Sequence, residues 1–320
     1  MQRAWAALAV QIGVIAIQIA NTLHSNGVGT SILGIKSLFT NAPYIKPRNL
    51  DEAVGLLAAG ETRILSGGTD FYPSLGEGVV REAVVDISAL RELRGVSRET
   101  DCFRIGGLTT WSEIVRTPLP RGFGALKSAA REVGSVQIQN RGTVAGNLCN
   151  ASPAADGVPP LLAMDAEVEL VSKAGMRKMP LAEFIVGNRK TQRKPDELLT
   201  AVLVPRGVED AASAFLKLGA RRYLVISISM VAALVQIRDG QVLEARIAVG
   251  SCSAVARRLG ALEGDLIGAP VRDGLNMLVR PEHLAALSPI DDVRATAKYR
   301  LDASLRLVKR ALNSCVERNG

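Results

Sequence analysis

The sequence predicts an α+β chain built from two packed units. Three observations carry that reading. Between Tyr44 and Gly134, helical and strand-like stretches alternate, and the glycine pairs Gly67-Gly68 and Gly106-Gly107 fall where they join. From Ser213 to Cys252 the chain changes to long strand-like runs with an Asp239-Gly240 turn between two of them. Residues 291–312 then read as an amphipathic helix, with Ala297, Leu301, Leu305, Val308 and Leu312 recurring every three or four positions. At 320 residues there is room for two or three packed units and a sizeable core.

The regular fold begins at YIKPRNLDEAVGLLAAG, residues 44–60. Pro47 is a start signal, Asn49 caps a helix, and Glu52, three residues on, closes a capping box. Leu50, Ala53, Val54 and Leu57 share one face, and Gly60 is a natural stop. TRIL (62–65) reads as a buried strand running straight into SGGTDFYP (66–73). Ala83 to Ile87 and Phe103 to Ile105 are further strands. The second leads through Gly106-Gly107 into a helix opened by a capping box of Thr110 and Glu113. GALKSAAREVGS (124–135) is a helix that stops near Gly134, and VQIQN (136–140) alternates like a strand. In the last third, SAFLKLGARR, ISISMVAALVQI and GQVLEARIAVGSC read as strands, with Asp239-Gly240 as a hairpin turn.

The densest stretch lies within residues 142–156, which hold Gly142, Thr143, Gly146, Asn147, Asn150, Ser152, Pro153 and Asp156. Little apolar material is left there for a regular element, so it reads as a loop. Small residues let a ligand approach backbone amides. Short donors and acceptors plus one carboxylate suit a polyhydroxylated phosphate ester. The same composition also suits a turn-rich surface loop. Two such loops in one chain, each after a strand, favour the ligand.

Other classes have little to be built from. The formal charge of +8 is spread among alternating acids and bases, and aromatics are 4%, too few for the stacking stripe of a nucleic-acid binder. The basic balance suits an anionic cofactor or an acidic partner instead. Cys102, Cys149, Cys252 and Cys315 are far apart with no CxxC or cluster-ligand spacing, and read as reduced, mostly buried thiols of a cytoplasmic protein. Only His24 and His283 are available to a metal site or a hydrolase triad. No nucleophile–base pair and no acid–base dyad emerges, so a bound cofactor carries the chemistry. AWAALAVQIGVIAIQIA (4–20) is slightly short for a membrane-spanning helix and contains Gln11 and Gln18. Arg3 gives it a minimal signal-like start, but no clean cleavage site follows. The remaining reading makes residues 1–41 a leader or a loosely attached helix outside the fold.

SGGTDFYP together with TVAGNLCNASPAAD (143–156) resembles the paired flavin-binding loops of the FAD-binding (medium) subunit of the molybdenum hydroxylase family. That family includes xanthine dehydrogenases, aerobic carbon monoxide dehydrogenases and related N-heterocycle and aldehyde dehydrogenases. GNRKTQRKPDELLTAVLVP (187–205) resembles its GxRKTxLxPxELL segment, and FLKLGARRYLVISISMVAA (215–233) its FxKxxxRxxxDIAxVxxA segment. The similarity runs from about Tyr44 to Leu312.

The resemblance implies a vanillyl-alcohol-oxidase-like FAD domain over 42–207, with subdomains of about 42–95 and 96–207. A C-terminal α+β domain of the CO-dehydrogenase-flavoprotein type follows over 208–320. It implies that non-covalent FAD lies between the two subdomains. The backbone of Ile64, Leu65, Ser66, Gly67, Gly68, Thr69, Asp70 and Phe71 would wrap the diphosphate, with Thr143, Val144, Ala145, Gly146 and Asn147 opposite and Asn150 nearby. Asp156 would hold ribityl or ribose hydroxyls, while Val133, Leu199 and Lys217 would line the site further on. Lys217 or Arg189 could favour an anionic reduced flavin; the alternative is a surface salt bridge for each. Val133 stands where some relatives place an aromatic residue, and Gln192 and Arg193 replace the usual apolar pair, making that wall more polar.

By the same resemblance the chain is one subunit of a heterotrimer. A large subunit would carry molybdopterin and a small one [2Fe–2S] clusters, assembled as a dimer of heterotrimers. NAD, a quinone or another external acceptor would take the electrons. No [4Fe–4S] insertion of the hydroxybenzoyl-CoA reductase branch is present. A stand-alone flavoprotein oxidase and a non-catalytic assembly subunit are the alternatives. Intact loops argue against the second, and the absence of a suitably placed histidine or cysteine pair argues against covalent flavin.

Overall fold

The computed structural model describes residues 42–317, apart from Glu77 and Tyr223. The apolar segment 4–20 lies outside the described residues. Strand β1 (Tyr44–Ile45), helix α1 (Leu50–Ala58), strand β2 (Thr62–Leu65), helix α2 (Phe71–Leu75) and strand β3 (Ala83–Asp86) build a first, parallel sheet in the order β1-β3-β2. Asn49 caps α1 by accepting from the Glu52 N–H at 2.9 Å. The box does not close on Asn49, because the Glu52 carboxylate accepts from the Arg48 N–H instead, at 2.8 Å. Ala53, Val54 and Leu57 of α1 pack on Val85, Ile87, Leu90 and Leu93, which closes a small core over this sheet.

The second sheet is antiparallel. Its strands β4 (Val96–Arg98), β5 (Cys102–Gly106), β6 (Glu167–Ser172), β7 (Gly175–Pro180) and β10 (Leu198–Pro205) lie in the order β4-β5-β10-β6-β7. Between β5 and β6 the chain forms helices α3 (Trp111–Arg116), α4 (Gly124–Glu132), α5 (Val136–Arg141), α6 (Val144–Asn150) and α7 (Val158–Ala163). The capping box of Thr110 and Glu113 is fully formed at α3. Helix α8 (Leu181–Phe184) and a two-stranded hairpin, β8 (Ile185–Gly187) with β9 (Lys190–Thr191), lead back into β10.

Two expectations are corrected here. VQIQN is helical, within α5, rather than a strand. Its two apolar residues have no buried face to occupy, with Val136 63% exposed, and its backbone closes helical bonds such as Gln139 N–H to the Ser135 carbonyl at 2.8 Å. Residues 144–150, expected as loop, form α6. Thr143 caps it by accepting from the Gly146 N–H at 3.0 Å, and Val144, Ala145 and Leu148 bury one face. These apolar residues are too few to give a periodic signal, and the cap residue doubles as a loop residue.

Strands β11 (Ala212–Leu218), β12 (Ser229–Arg238), β13 (Gln241–Gly250) and β14 (Arg257–Arg258) form a third, antiparallel sheet in sequence order. Asp239 and Gly240 turn β12 into β13 with φ of 52° and 73°, the left-handed pair that a tight hairpin requires. Both faces of this sheet are buried, which is why β12 is apolar throughout most of its length. Met230, Ala232 and Leu234 point into a core shared with Phe103, Leu126 and Leu161 of the preceding unit. Val231, Ala233 and Val235 point the other way, onto Leu262 of helix α9 (Gly260–Leu266) and Val308 and Leu312 of helix α10 (Ala297–Glu317).

Helix α10 begins at Ala297, six residues later than its pattern suggests. The preceding acids act as a cap, with Asp291 accepting from the Ala297 N–H at 2.5 Å. Its buried stripe includes Arg300, 3% exposed, which donates to the Ile228 carbonyl at 2.6 Å, the Ser251 carbonyl at 3.2 Å and Asp292 at 2.7 Å. Burial raises the Asp292 pKa. The Arg294 N–H, the Arg300 and Arg294 guanidiniums and the Ala295 N–H outweigh that and hold the carboxyl well below the usual range. A depressed carboxyl contributes stability above its unfolded pKa, about 3.9, that is lost as pH falls through the folded value. Asp292→Asn should therefore melt lower than wild type near neutrality and show a flatter loss of stability below about pH 4, read by thermal melts across that range.

Candidate functional site

Two turns that each lead into a helix face one another across a cleft. In the first, β2 ends at Leu65 and residues 66–70 turn into α2, with Gly68 in the left-handed region at φ 76°. In the second, α5 ends at Arg141 and Gly142 leads to Thr143, the cap of α6. The hydroxyls of Ser66 and Thr143 are hydrogen-bonded across the gap at 2.9 Å. Gly67 sits directly on the opposing backbone, since a Cβ there would lie 2.0 Å from the Arg141 carbonyl oxygen. Trp111, almost fully buried, braces the second turn by donating its backbone N–H to the Gly142 carbonyl at 3.2 Å.

The cleft has a volume of about 690 Å³. That lies within the range of roughly 300–1,000 Å³ usual for cofactor pockets. Ile64, Ser66, Gly67, Gly68, Thr69, Asp70 and Phe71 line one side. Val133, Thr143, Ala145, Gly146, Asn147, Asn150 and Leu199 also line it. Four sequence-predicted residues are not in the lining. Leu65 packs with Val80 and Val84, and Val144 is fully buried in the main core. Asp156 and Lys217 pair with each other at 2.6 Å, both nearly inaccessible to water.

Each oxygen of Asp156 is already held, Oδ2 by Lys217 and Oδ1 by the Ser227 hydroxyl at 2.8 Å. Lys217 also donates to the Glu132 carbonyl at 3.2 Å, next to Val133 in the lining. Burial pushes the Asp156 carboxyl up, while Lys217 and Ser227 pull it back. Asp70 makes no side-chain cap at α2; it pairs with Arg189 at 3.0 Å.

Sequence reasoning did not place Gly107, Trp111, Ile138 or Thr191 at the site, although all four line the cleft. Gly107 carried a signal, since it belongs to the second glycine pair. A Cβ on it would come within 2.5 Å of the Leu199 carbonyl. Trp111 carried none, because its position follows from packing against residues far along the chain.

The lining suits an anionic, hydroxyl-bearing cofactor. Arg63, Arg189 and Arg193 outnumber Asp70 in charge. Asn147 Oδ1 is shielded from water and has no hydrogen-bond donor among the described residues. A buried acceptor left unpaired costs about 1–3 kcal/mol, which a ligand N–H or O–H would offset. Gly67, Gly68 and Gly146 bring bare backbone to the cleft without a side chain in the way. Cys149 also lines the cleft, and burial pushes its thiol up to about 11. Among the described residues, no group of three or more His, Cys, Asp or Glu side chains could hold a metal ion, and no helix is long and apolar enough to cross a membrane.

The family model for the FAD binding domain in molybdopterin dehydrogenase matches residues 37–207, more than half of the chain. The chain belongs to that family. Residues 214–315 match the CO dehydrogenase flavoprotein C-terminal domain. Among curated proteins, the putative xanthine dehydrogenase FAD-binding subunit XdhB of Escherichia coli (strain K12) is 31% identical over 288 residues, covering 88% of this chain and 99% of that one. The nicotinate dehydrogenase FAD-subunit of Eubacterium barkeri is 35% identical over 237 residues, 71% of this chain and 80% of that one. Among solved structures, a chain of the carbon monoxide dehydrogenase from Hydrogenophaga pseudoflava superposes with a TM-score of 0.79 at 26% identity, covering 87% of this chain and 98% of that one. The expected α+β flavoprotein fold and the family are thus shown.

Proposed function

We propose that this chain is the flavin-carrying electron-transfer subunit of a molybdenum hydroxylase, holding FAD non-covalently between its two glycine-rich turns. When bound, FAD supplies the redox chemistry that connects a [2Fe–2S] centre on a small partner subunit to an external acceptor such as NAD or a quinone. The substrate is oxidised on a molybdopterin-binding large subunit, and the assembly is a dimer of heterotrimers in the cytoplasm. Cys102, Cys149, Cys252 and Cys315 all stand as thiols outside any disulfide, which supports a reducing compartment.

This chain's own residues bind and orient. The backbone of residues 64–71 wraps the diphosphate with that of residues 143–147 opposite, and Arg63 and Arg193, the lining charges left after Arg189 pairs with Asp70, balance its charge. Asn147 offers its unpaired Oδ1 to a donor on the cofactor. Val133 and Leu199 exclude water along apolar walls. The pair of Asp156 and Lys217 fixes the backbone behind Val133, through the bond that Lys217 donates to the Glu132 carbonyl. A lining thiol with a pKa near 11 is a poor nucleophile, which supports non-covalent binding.

The observation that carries this reading is the cleft itself, with two glycine-rich turns and three arginines around one space. The test is the visible absorbance of the purified chain before and after heat denaturation. The two-banded spectrum of oxidised flavin should pass into solution and co-migrate with FAD. A protein that stays colourless after reconstitution with FAD, alone and co-expressed with its gene neighbours, overturns the reading.

A further inference from the structure

Arg189 stands between β8 and β9 in the left-handed region, at φ 56°, where a side-chain-bearing residue is held only by its surroundings. Its N–H donates to the Ala151 carbonyl at 2.9 Å and ties the hairpin to the end of α6. From that anchor Nη1 donates to Asp70 Oδ2 at 3.0 Å and to Asn150 Oδ1. Asp70 belongs to the first turn and Asn150 to the helix that follows the second, and all three residues line the cleft. The guanidinium therefore joins the two walls. It differs in kind from the tie between Ser66 and Thr143, whose residues are partly or fully buried. Arg189 and Asp70 have side chains 56% and 48% exposed, so water and salt reach the pair. An exposed ion pair breaks readily, which suits a fastening that opens.

We propose that Arg189 is a strap across the mouth of the cleft that sets how fast the flavin enters and leaves. The inference rests on the flavin reading above. A strap that must open for passage in either direction slows association and dissociation by the same factor. A residue that grips the cofactor slows dissociation alone.

The test is stopped-flow flavin fluorescence on the full chain, with FAD added to apoprotein for the forward rate and FAD displaced for the reverse. Arg189→Ala should raise both rates by roughly three- to tenfold, as loss of one exposed ion pair and one hydrogen bond allows. Its Kd should stay within about twofold of wild type, because opening both directions leaves their ratio unchanged. Asp70→Asn should reproduce the effect, and the double variant should add little, the mark of one shared interaction. Added salt should speed exchange more in wild type than in Arg189→Ala, where only the screening of the cofactor's own charge remains. Faster dissociation at an unchanged association rate would make Arg189 a cofactor contact and overturn the strap. So would unchanged exchange in a wild-type-like, flavin-loaded variant. If wild type itself binds no flavin, the functional reading fails and takes the strap with it.

Discussion

Gly67→Ala is expected to empty the cleft of flavin. The new methyl would lie 2.0 Å from the Arg141 carbonyl oxygen, 2.8 Å from its carbon and 3.1 Å from Gly142 Cα. All three are backbone atoms, so no side chain can swing aside. The turns must separate, and the bond between the Ser66 and Thr143 hydroxyls at 2.9 Å goes with them. From the sequence, a side chain here is expected to block the cofactor's diphosphate. In the structure the first obstacle is the opposite wall, so the loss of flavin should come with a loss of stability, about 1–3 kcal/mol for overpacking. Gly55 is the matched control. It lies inside α1, and a Cβ added there would meet nothing within 4 Å, so Gly55→Ala should stabilise by about 0.5–1 kcal/mol and keep its flavin. Denaturant unfolding and bound-flavin stoichiometry read both. A Gly67→Ala protein with full flavin and unchanged stability would refute the account.

Lys217→Met should be the most destabilising of the single changes considered. Lys217 and Asp156 have side chains 6% and 8% exposed and lie 2.6 Å apart. Removing one member of a buried pair strands the other charge, at a cost of about 3–5 kcal/mol. Burial already pushes the Asp156 carboxyl up, and without the ammonium it would rise further. A carboxyl whose folded pKa exceeds its unfolded value contributes stability at low pH and loses it as pH rises through the folded value. The variant should therefore lie closest to wild type in mild acid and furthest from it in alkali. Adding Asp156→Asn should restore part of the loss and flatten that pH dependence, giving a non-additive cycle. Equal destabilisation at all pH values would show that Asp156 is not the group left behind.

Much of the fold is legible in the sequence because the deciding chemistry is local. The cap at Asn49, the box of Thr110 and Glu113 and the turn at Asp239-Gly240 are each settled within a few residues. Helices α5 and α6 escape such a reading because six or seven residues carry too few apolar positions to define a period; burial of Val144, Ala145 and Leu148 decides α6, and α5 buries no residue. At the site, the two turns are legible from their glycines and hydroxyls. The partnership of Asp156 with Lys217 spans 61 residues, and that of Arg189 with Asp70 spans 119. Lys217 and Arg189 alone also read as surface salt-bridge residues, and only the topology brings them to Asp156 and Asp70.

The third sheet gives one face to a core that the flavin-binding region closes. Phe215, Met230, Ala232, Leu234 and Ala248 meet Phe103, Leu126 and Leu161 in one cluster. A gene encoding residues 42–207 alone would thus yield a fragment with an apolar wall open to water, and such walls invite self-association. The flavin-binding region is not a cassette that can be moved between proteins. It buries its apolar face only together with the sheet that follows it.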